Sequence, residues 1–311
     1  MSHSREQIIL HTSWISAIGN ALLSVVKIVV GLWAGSLAVL GDGVDSATDV
    51  AISIVMLFTA RIINRPPDRK YAYGYEKAES IATKILSLVI FYAGVQMLVS
   101  SVRCIASPEP RELPGMITIY VTVFSIAGKL ALALYQYRQG KRAGSSMLKA
   151  NAVNMRGDVM ISAAVLAGLG FTFVLKMPIL DSVTGLVVSA FILKSAVTIF
   201  LDSNIELMDG VRDMSVYDKI FEAVARVPGA SNPHRVRSRQ IGNMYMIVLD
   251  VEADGNITLN EAHTISDAVE KSIRQSMENV YDIVVHVEPA GKHHDAEKFG
   301  LDERTINGGL D

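Results

Sequence analysis

The chain has 311 residues, of which 50% are hydrophobic and 19% are charged, and its formal net charge is −2. The positive mean hydropathy of +0.33 excludes an ordinary water-soluble globular protein and favours a membrane protein. The small net charge gives no reason to expect nucleic acid as a partner. Cys104 is the single cysteine, which excludes an intramolecular disulfide and a thiolate-rich zinc site. Any bound metal must therefore be held by oxygen and nitrogen ligands.

Six stretches are apolar over about 20 residues, the length that a helix needs to cross a bilayer. The first is longer than the apolar region of a signal peptide, so we expect it to be retained as a helix. We therefore predict a transmembrane domain of six helices over residues 1–208. The six stretches lie near residues 12–35, 38–60, 79–101, 114–136, 147–175 and 180–202.

Lysine and arginine near the helix ends predict the orientation in the membrane. They concentrate in the connection between the second and third spans and in that between the fourth and fifth, which we therefore place in the cytoplasm. With six spans, both termini then lie in the cytoplasm. We expect the chain to lie in the inner membrane of the cell. The residues that set this orientation are Arg61, Arg65, Arg69, Lys70, Lys77, Arg138, Lys141, Arg142 and Lys149.

After the sixth span the pattern becomes that of a water-soluble domain. Helical spacing over 215–227 precedes two stretches of strand-like alternation, 235–239 and 245–251. Asn260 is expected to cap a helix that runs to about Met277, and 282–287 is typical of a last strand. The order α-β-β-α-β predicts a small α+β cytoplasmic domain over 209–290. The polar, aperiodic residues 291–311 are expected to be a disordered tail.

Three acidic residues interrupt the apolar second span: Asp42, Asp45 and Asp49. One aspartate at the centre of a membrane helix costs roughly 2.5–3.5 kcal/mol, so such a residue normally faces a polar interior and has a partner. Asp45 and Asp49 are four residues apart, which places them one turn apart on one helix face. Two carboxylates this close repel each other unless a cation lies between them. The alternative is a pair of structural caps at a helix end, because Gly43 and Ser46 are nearby.

The fifth span repeats this spacing with Asn154 and Asp158. Two helices that each offer a pair of oxygen ligands would form a tetrahedral metal site when they pack side by side. Arg156 lies between Asn154 and Asp158 in sequence but points about 160° away from them on a helix, so we assign it no coordinating role. The predicted membrane site consists of Asp45, Asp49, Asn154 and Asp158.

With these features the chain resembles the cation diffusion facilitator family, whose members export divalent metals in exchange for protons. Six spans, paired ligands on the second and fifth helices and a cytoplasmic domain are common to both, over about residues 10–290. The resemblance implies an alternating-access metal/proton antiporter that works as a homodimer in the lipid bilayer. It implies a ferredoxin-like, metallochaperone-like fold for the cytoplasmic α+β domain. It also implies no enzymatic activity and no prosthetic group, the divalent metal being the transported substrate.

The fifth-helix motif departs from that of the zinc-transporting members, which generally have histidine where Asn154 stands. An amide with three carboxylates is an all-oxygen ligand set that suits manganese and is acceptable to ferrous iron, whereas imidazole suits zinc. We therefore expect manganese first, iron second and zinc third, with a zinc-type exporter of the same family as the alternative. Without the histidine, the exchanged protons would have to be carried by the aspartates.

Two further family features fall near the third span. Zinc exporters of this type have histidines where Tyr71 and Tyr75 stand, and these form a loop metal site with the acid at Asp68. Because phenol titrates near pH 10 and is a poor ligand at neutral pH, we expect no loop site and a solvated Asp68. Lys77 and Asp209 match the family's charge interlock, which is either a hinge between the domains or a rim salt bridge of about 0–1 kcal/mol.

The cytoplasmic domain contains possible metal ligands that correspond to those of the family. His286 and Glu288 lie on one face of the last predicted strand. One histidine of the family's sites is replaced by Val248, and Asp250 is a possible substitute. The candidate cytoplasmic ligands are His234, His263, Asp250, His286 and Glu288.

Two other classes of function are alternatives to a transporter. An intramembrane metal-dependent enzyme would need the same acids, but the spans contain no His-Glu-x-x-His or Gly-x-Ser-x-Gly motif. A passive channel would need rings of carbonyls or charges at an oligomer axis, whereas the predicted ligands converge within one protomer. Asp181 is expected to cap the sixth helix. Four other polar residues could line an access path, snorkel or pack between helices: Asn20, Lys27, Gln96 and Lys129.

Overall fold

A computed structural model of the chain describes residues 2–63, 65–107, 112–143, 145–241, 244–291 and 300–302. The chain forms two compact units, one comprising Met1–Arg61 with Ala82–Phe200 and the other Ile62–Ile81 with Leu201–Asp311. In the described ranges, six helices are long and apolar enough to cross a membrane, as predicted. They are α1 (Ser2–Trp33), α2 (Leu37–Ile63), α3 (Lys77–Ala106), α4 (Ile117–Arg142), α5 (Ser146–Leu175) and α6 (Ile179–Leu207).

The helix bundle of the first unit buries many polar side chains beside an apolar cluster and exposes large apolar side chains, and α4 shows this most clearly. Helix α4, which packs against α1 and α5, exposes Tyr120 and Phe124. This arrangement is the reverse of a water-soluble helix, because lipid is as apolar as the side chains that face it. A polar interior also lets membrane-embedded polar groups find partners within the bundle. The buried polar residues of α4 are Thr118, Thr122, Ser125, Lys129 and Gln136.

Asp181 joins the start of α2 to the start of α6. It lies in the first turn of α6, where it accepts hydrogen bonds from the Ser36 hydroxyl and, at 2.8 Å, from the Leu37 backbone N–H. The first N–H groups of a helix have no partner within that helix, so this carboxylate satisfies part of the α2 terminus. The expectation that Asp181 caps its own helix is therefore wrong, since it stabilises the neighbouring one.

The second unit contains a three-stranded sheet with two helices. Its elements are α7 (Ser215–Ala225), β1 (Ser231–Ile241), β2 (Met244–Ala253), α8 (Leu259–Ser276) and β3 (Val280–Pro289). Strand β2 occupies the centre, antiparallel to β1 and parallel to β3. Fully buried side chains from α7, β2 and α8, among them Ile220, Ile247 and Ile273, form its apolar core. The predicted α-β-β-α-β order is confirmed.

Two details of this unit differ from the sequence-based expectations. The cap of α8 is Thr258 and not Asn260: the Thr258 hydroxyl accepts from the Glu261 N–H, and the Glu261 carboxylate accepts from the Thr258 N–H at 2.7 Å. This reciprocal arrangement is a capping box. In the predicted disordered tail, Leu301 makes an antiparallel bridge to Val236. Tail residues 292–299 and 303–311 lie outside the described residues.

Replacement of Thr258 by alanine tests the capping box. The variant should lower the local stability of α8 by about 1 kcal/mol, because one backbone N–H of the first turn loses its acceptor. In hydrogen–deuterium exchange of the purified full-length protein, amides of the first turn of α8 should exchange about fivefold faster. Thr264→Ala is the matched control, since Thr264 lies inside the same helix and bonds only to its own helical carbonyl of Asn260. Equal exchange in the two variants would contradict the assignment.

Candidate functional site

The predicted membrane ligands of the second span lie on the inner side of α2. Asp45 and Asp49 are both partly buried and one helical turn apart. Asp45 and Asp49 are both near enough to Asp158 on α5 for direct charge interaction. The fold therefore brings the acids of the second and fifth spans together. Carboxyl groups this close need a shared proton or a cation between them.

The fourth predicted ligand is less enclosed than the acids. The Asn154 side chain is exposed in the single chain and lies one turn before Asp158 on α5. Arg156 is exposed as well. Over the described part of the chain, the group of three or more acidic, histidine or cysteine ligands whose atoms all lie within 4.8 Å is in the second unit, so Asp45, Asp49 and Asp158 do not all lie within 4.8 Å of one another. Three carboxylates repel one another, and a closed cage of them requires a divalent cation at its centre.

Lys27 and Asp42 form a closed ion pair between α1 and α2. The Lys27 Nζ and Asp42 Oδ2 atoms are 2.7 Å apart, and the two side chains are 0% and 1% exposed. Lys27 also donates to Ser162 on α5 at 3.0 Å, and the Ser162 hydroxyl donates to Asp42 Oδ1 at 2.8 Å. The charges are thus matched and their remaining hydrogen-bonding atoms largely satisfied. Lys27 neither snorkels nor stands alone, because its ammonium group is fixed inside the bundle.

Lys129 forms a second pair, this time with a predicted metal ligand. Its Nζ atom lies 3.2 Å from Asp158 Oδ2, with side-chain exposures of 1% for Lys129 and 21% for Asp158. The sequence-based reading of the site missed this contact. The available signal was the presence of two lysines in apolar spans, each of which required a buried acid as partner. Two other polar residues of the spans have no role assigned from the sequence. Of these, Asn20 is partly buried and Gln96 is exposed.

In the second unit, four of the five predicted ligands converge on one region of the sheet: His234, Asp250 and His286 share a row, and Glu288 follows His286 by two residues on β3. The register places His234 of β1 opposite Asp250 of β2, and Asp250 beside His286 of β3. His286 Nδ1 is 3.2 Å from Glu288 Oε1 and 3.9 Å from Asp250 Oδ2. His234 Nε2 is 3.5 Å from Glu288 Oε2. Ligand atoms of Asp250, His286 and Glu288 all lie within 4.8 Å of one another, close enough to hold one metal ion.

His263 is not part of this cluster. It lies on α8 with an exposed side chain, where its Nε2 is 3.7 Å from Asp267 Oδ2 one turn away. Arg235, which the sequence-based reading did not consider, pairs with Asp250 at 2.9 Å and supplies a positive charge beside the cluster. Strand β1 is irregular on both sides of His234, and such bulges redirect side chains in a way that alternation along a strand does not predict.

The loop before α3 is organised around Asp68. Its Oδ1 accepts from the backbone N–H groups of Lys70 and Tyr71, and its Oδ2 accepts from the Tyr75 hydroxyl at 2.6 Å. The Tyr75 hydrogen bond is the main reason that the pKa of Asp68 lies below its usual value. Asp68 is therefore a structural acceptor of the loop and not simply a solvated charge. Tyr73 stacks under Arg239, whose guanidinium carbon lies 4.2 Å from the ring centroid.

The expected Lys77–Asp209 pair is formed, with 2.7 Å between Lys77 Nζ and Asp209 Oδ1. Both side chains are more than a third exposed. An exposed pair of this kind contributes about 0–1 kcal/mol to stability, so the contact by itself favours the rim salt bridge. A role as a hinge stays a prediction.

Comparison with known proteins places this arrangement in a family. Residues 13–208 match the cation efflux transmembrane domain, and residues 213–290 match the cytoplasmic domain of cation efflux proteins. The chain is 31% identical to the uncharacterized transporter YdbO of Bacillus subtilis, over 86% of this chain and 91% of that protein. It is 28% identical to the manganese efflux system protein MneS of the same organism, over 88% and 93% of the two chains.

Among solved structures, the metal-bound C-terminal domain of the CzcD transporter from Thermotoga maritima is 36% identical to this chain. The match covers 26% of this chain and 94% of that domain, with a TM-score of 0.25. The matches to the two cation efflux domains follow one another along the chain, and the transmembrane-domain match alone covers more than half of it. This chain is therefore a member of the cation diffusion facilitator family, a multi-pass membrane protein that exports divalent cations and is a transporter rather than an enzyme.

Proposed function

We propose that the chain exports manganese in exchange for protons, with ferrous iron as the second candidate and zinc as the third. The observation that carries this proposal is that Asp45 and Asp49 of α2 lie within charge-interaction range of Asp158 of α5, inside helices that are otherwise apolar. Acids placed so close in a membrane interior belong to a cation or proton pathway. The proposed transport site consists of Asp45, Asp49, Asn154 and Asp158.

The choice of metal rests on the donor atoms. All four proposed ligands bind through oxygen, and hard oxygen donors suit manganese better than zinc. A relative that matches nearly the whole chain is named a manganese efflux system protein, which agrees with this choice. A zinc-type exporter of the same family is the alternative, since carboxylates also bind zinc.

The mode of transport follows from the composition of the site. Because it lacks histidine, the protons that exchange for the metal are carried by the aspartates. Ligands from α2 and α5 of one protomer favour binding and release by alternating access over a passive channel, which would need rings of ligands around an oligomer axis. Metal transport requires no nucleophile, and the membrane spans contain no His-Glu-x-x-His or Gly-x-Ser-x-Gly motif of a hydrolase. An intramembrane enzyme is therefore the weaker candidate.

The placement of the protein in the cell is part of the same proposal. The positive connections of the chain put both termini and the C-terminal domain in the cytoplasm, with the helices in the inner membrane. The exporter acts as a homodimer, as the family resemblance implies. The cluster of His234, Asp250, His286 and Glu288 binds metal on the cytoplasmic side, and the domain boundaries fall near 208 and 290.

Transport in proteoliposomes tests the membrane site. Manganese uptake driven by an imposed pH gradient should fall by at least about tenfold in Asp49→Asn, because the variant loses one charged ligand of the proposed site. Asp202→Asn is the control, since Asp202 is an exposed aspartate of α6 and should transport normally. Uptake that ignores the pH gradient would favour a channel. Normal transport by Asp49→Asn would refute the site.

The metal preference is tested by Asn154→His. Exchange of an amide for imidazole should shift the ratio of zinc to manganese affinity towards zinc by about tenfold or more, because imidazole is the softer ligand. Competition binding on the purified protein measures this ratio. Asn151→His introduces the same group at an exposed position of α5 one turn earlier and should leave the ratio unchanged. The same preference in wild type and both variants would remove Asn154 from the determinants of selectivity.

The cytoplasmic cluster is tested in full-length protein that already carries Asp49→Asn. Titration calorimetry with zinc should detect a site that His286→Ala removes, because His286 lies between Asp250 and Glu288. His263→Ala is the control and should bind as before, since His263 is remote from the cluster on α8. If the two histidine variants bind zinc equally, the cluster is a set of ordinary ion pairs.

A further inference from the structure

Lys129 is a buried cation that the transport site, as proposed above, does not use. Its side chain is 1% exposed, and its ammonium group lies 3.2 Å from the Asp158 carboxylate. Within the described ranges, the Nζ atom has no hydrogen-bond partner of good geometry. A buried ammonium with one long ion pair and no hydrogen bonds is only partly compensated for its lost hydration. Its contact with Asp158 is therefore easier to exchange than a fully bonded pair.

Lys27 shows what a permanent buried pair looks like in the same bundle. Its ammonium lies 2.7 Å from Asp42 and also donates to Ser162 and Ser46. Asp42 is not among the proposed ligands, so this pair can persist whether or not metal is bound. The difference between the two lysines lies in the partner: Lys27 holds a structural acid, whereas Lys129 holds an acid that the metal needs.

Among the residues that the structure describes, two buried polar residues without hydrogen-bond partners for their side chains lie on the same face of α4 as Lys129. Ser125 precedes it by one helical turn, and Gln136 follows it by two turns on the same buried face of α4, with the small Ala133 between. Over the part of the chain that the structure describes, neither the Ser125 hydroxyl nor the two polar atoms of the Gln136 amide have a hydrogen-bond partner. A flexible lysine side chain can exchange a carboxylate for such acceptors while it stays out of the lipid.

The charges of the site agree with a lysine that remains nearby. When Asp45, Asp49 and Asp158 are all ionised, their three carboxylates and the Lys129 ammonium sum to two formal negative charges. One divalent cation neutralises these charges. A metal-loaded site without net charge has the lowest free-energy cost inside a bilayer. This favours the conformational change that exposes the loaded site to the other side of the membrane.

We propose that Lys129 is a tethered cation that competes with the transported metal for Asp158. This inference rests on the proposed transport site. The incoming metal displaces the ammonium from Asp158 towards Ser125 or Gln136, and the return of the ammonium to Asp158 promotes release of the metal. Lys129 thus lowers the affinity for metal and raises the rate of turnover.

The test compares manganese affinity and transport in full-length protein reconstituted in lipid. Lys129→Met and Lys129→Gln, two neutral variants of different polarity, should each lower the manganese Kd by about tenfold or more, because the competing charge is gone. In proteoliposomes both should lower KM and also lower the maximal rate, since release slows. Either variant that folds is sufficient for the comparison.

Lys27→Met is the matched control. It removes an equally buried lysine whose ion pair and hydrogen bonds go to Asp42, Ser46 and Ser162 and not to a proposed ligand, so it should reduce stability without the tenfold tightening of manganese binding expected for Lys129. Lys129→Arg keeps the charge and should bind no tighter than wild type. If Lys129 has only a structural role, both neutral variants should bind manganese as wild type does or more weakly. That result would overturn the inference.

Asp49→Asn distinguishes failure of the inference from failure of the proposed site. If Asp49→Asn weakens manganese binding while both neutral Lys129 variants leave it unchanged, the site is correct and the tethered cation is wrong. If Asp49→Asn binds manganese as wild type does, the proposed site itself fails and the competition fails with it.

Discussion

A charged side chain inside a membrane bundle must meet an opposite charge or a polar group, because the lipid offers neither. This constraint shapes the first unit. Lys27 and Asp42 satisfy it across α1 and α2, and Lys129 and Asp158 satisfy it across α4 and α5. Ser162 of α5 bonds to the first pair and links it to a third helix. The pairs therefore fix which helices are neighbours, and this arrangement brings the acids of α2 and α5 within reach of each other.

The two buried ion pairs satisfy the constraint to different degrees. Lys27 has three polar partners and no exposure, which suits a permanent element of the bundle. Among the described residues, Lys129 has one ion-pair partner, and that partner is both partly exposed and a proposed metal ligand. A transporter has to bind its substrate and release it. In the proposed competition between Lys129 and the metal, incomplete compensation around Asp158 keeps metal binding reversible.

In the second unit, backbone pairing rather than membrane electrostatics assembles the ligand cluster. Asp250 on the central strand has His234 on one side and His286 on the other, because the strands pair in that register. The α-β-β-α-β order and the shared face of His286 and Glu288 could be predicted, since hydrophobic alternation marks strands and faces. The separation of His263 from the ligand cluster could not be predicted, because it depends on how α8 is rotated where it packs on the sheet. The pairing of Arg235 with Asp250 likewise depends on irregular backbone around His234.

By itself the sequence determined the number of membrane helices, the α+β character of the second unit and the one-turn spacing of Asp45 and Asp49. These are local properties, encoded by hydropathy and by helical and strand periodicity within a few turns. Only the tertiary structure decided which acid each buried lysine meets. Lys129 is far from Asp158 along the chain, and the helices offer several acids at similar depth. Packing selects one partner, because the free energy of a buried charge depends on the groups within a few ångströms and not on the composition of its own helix.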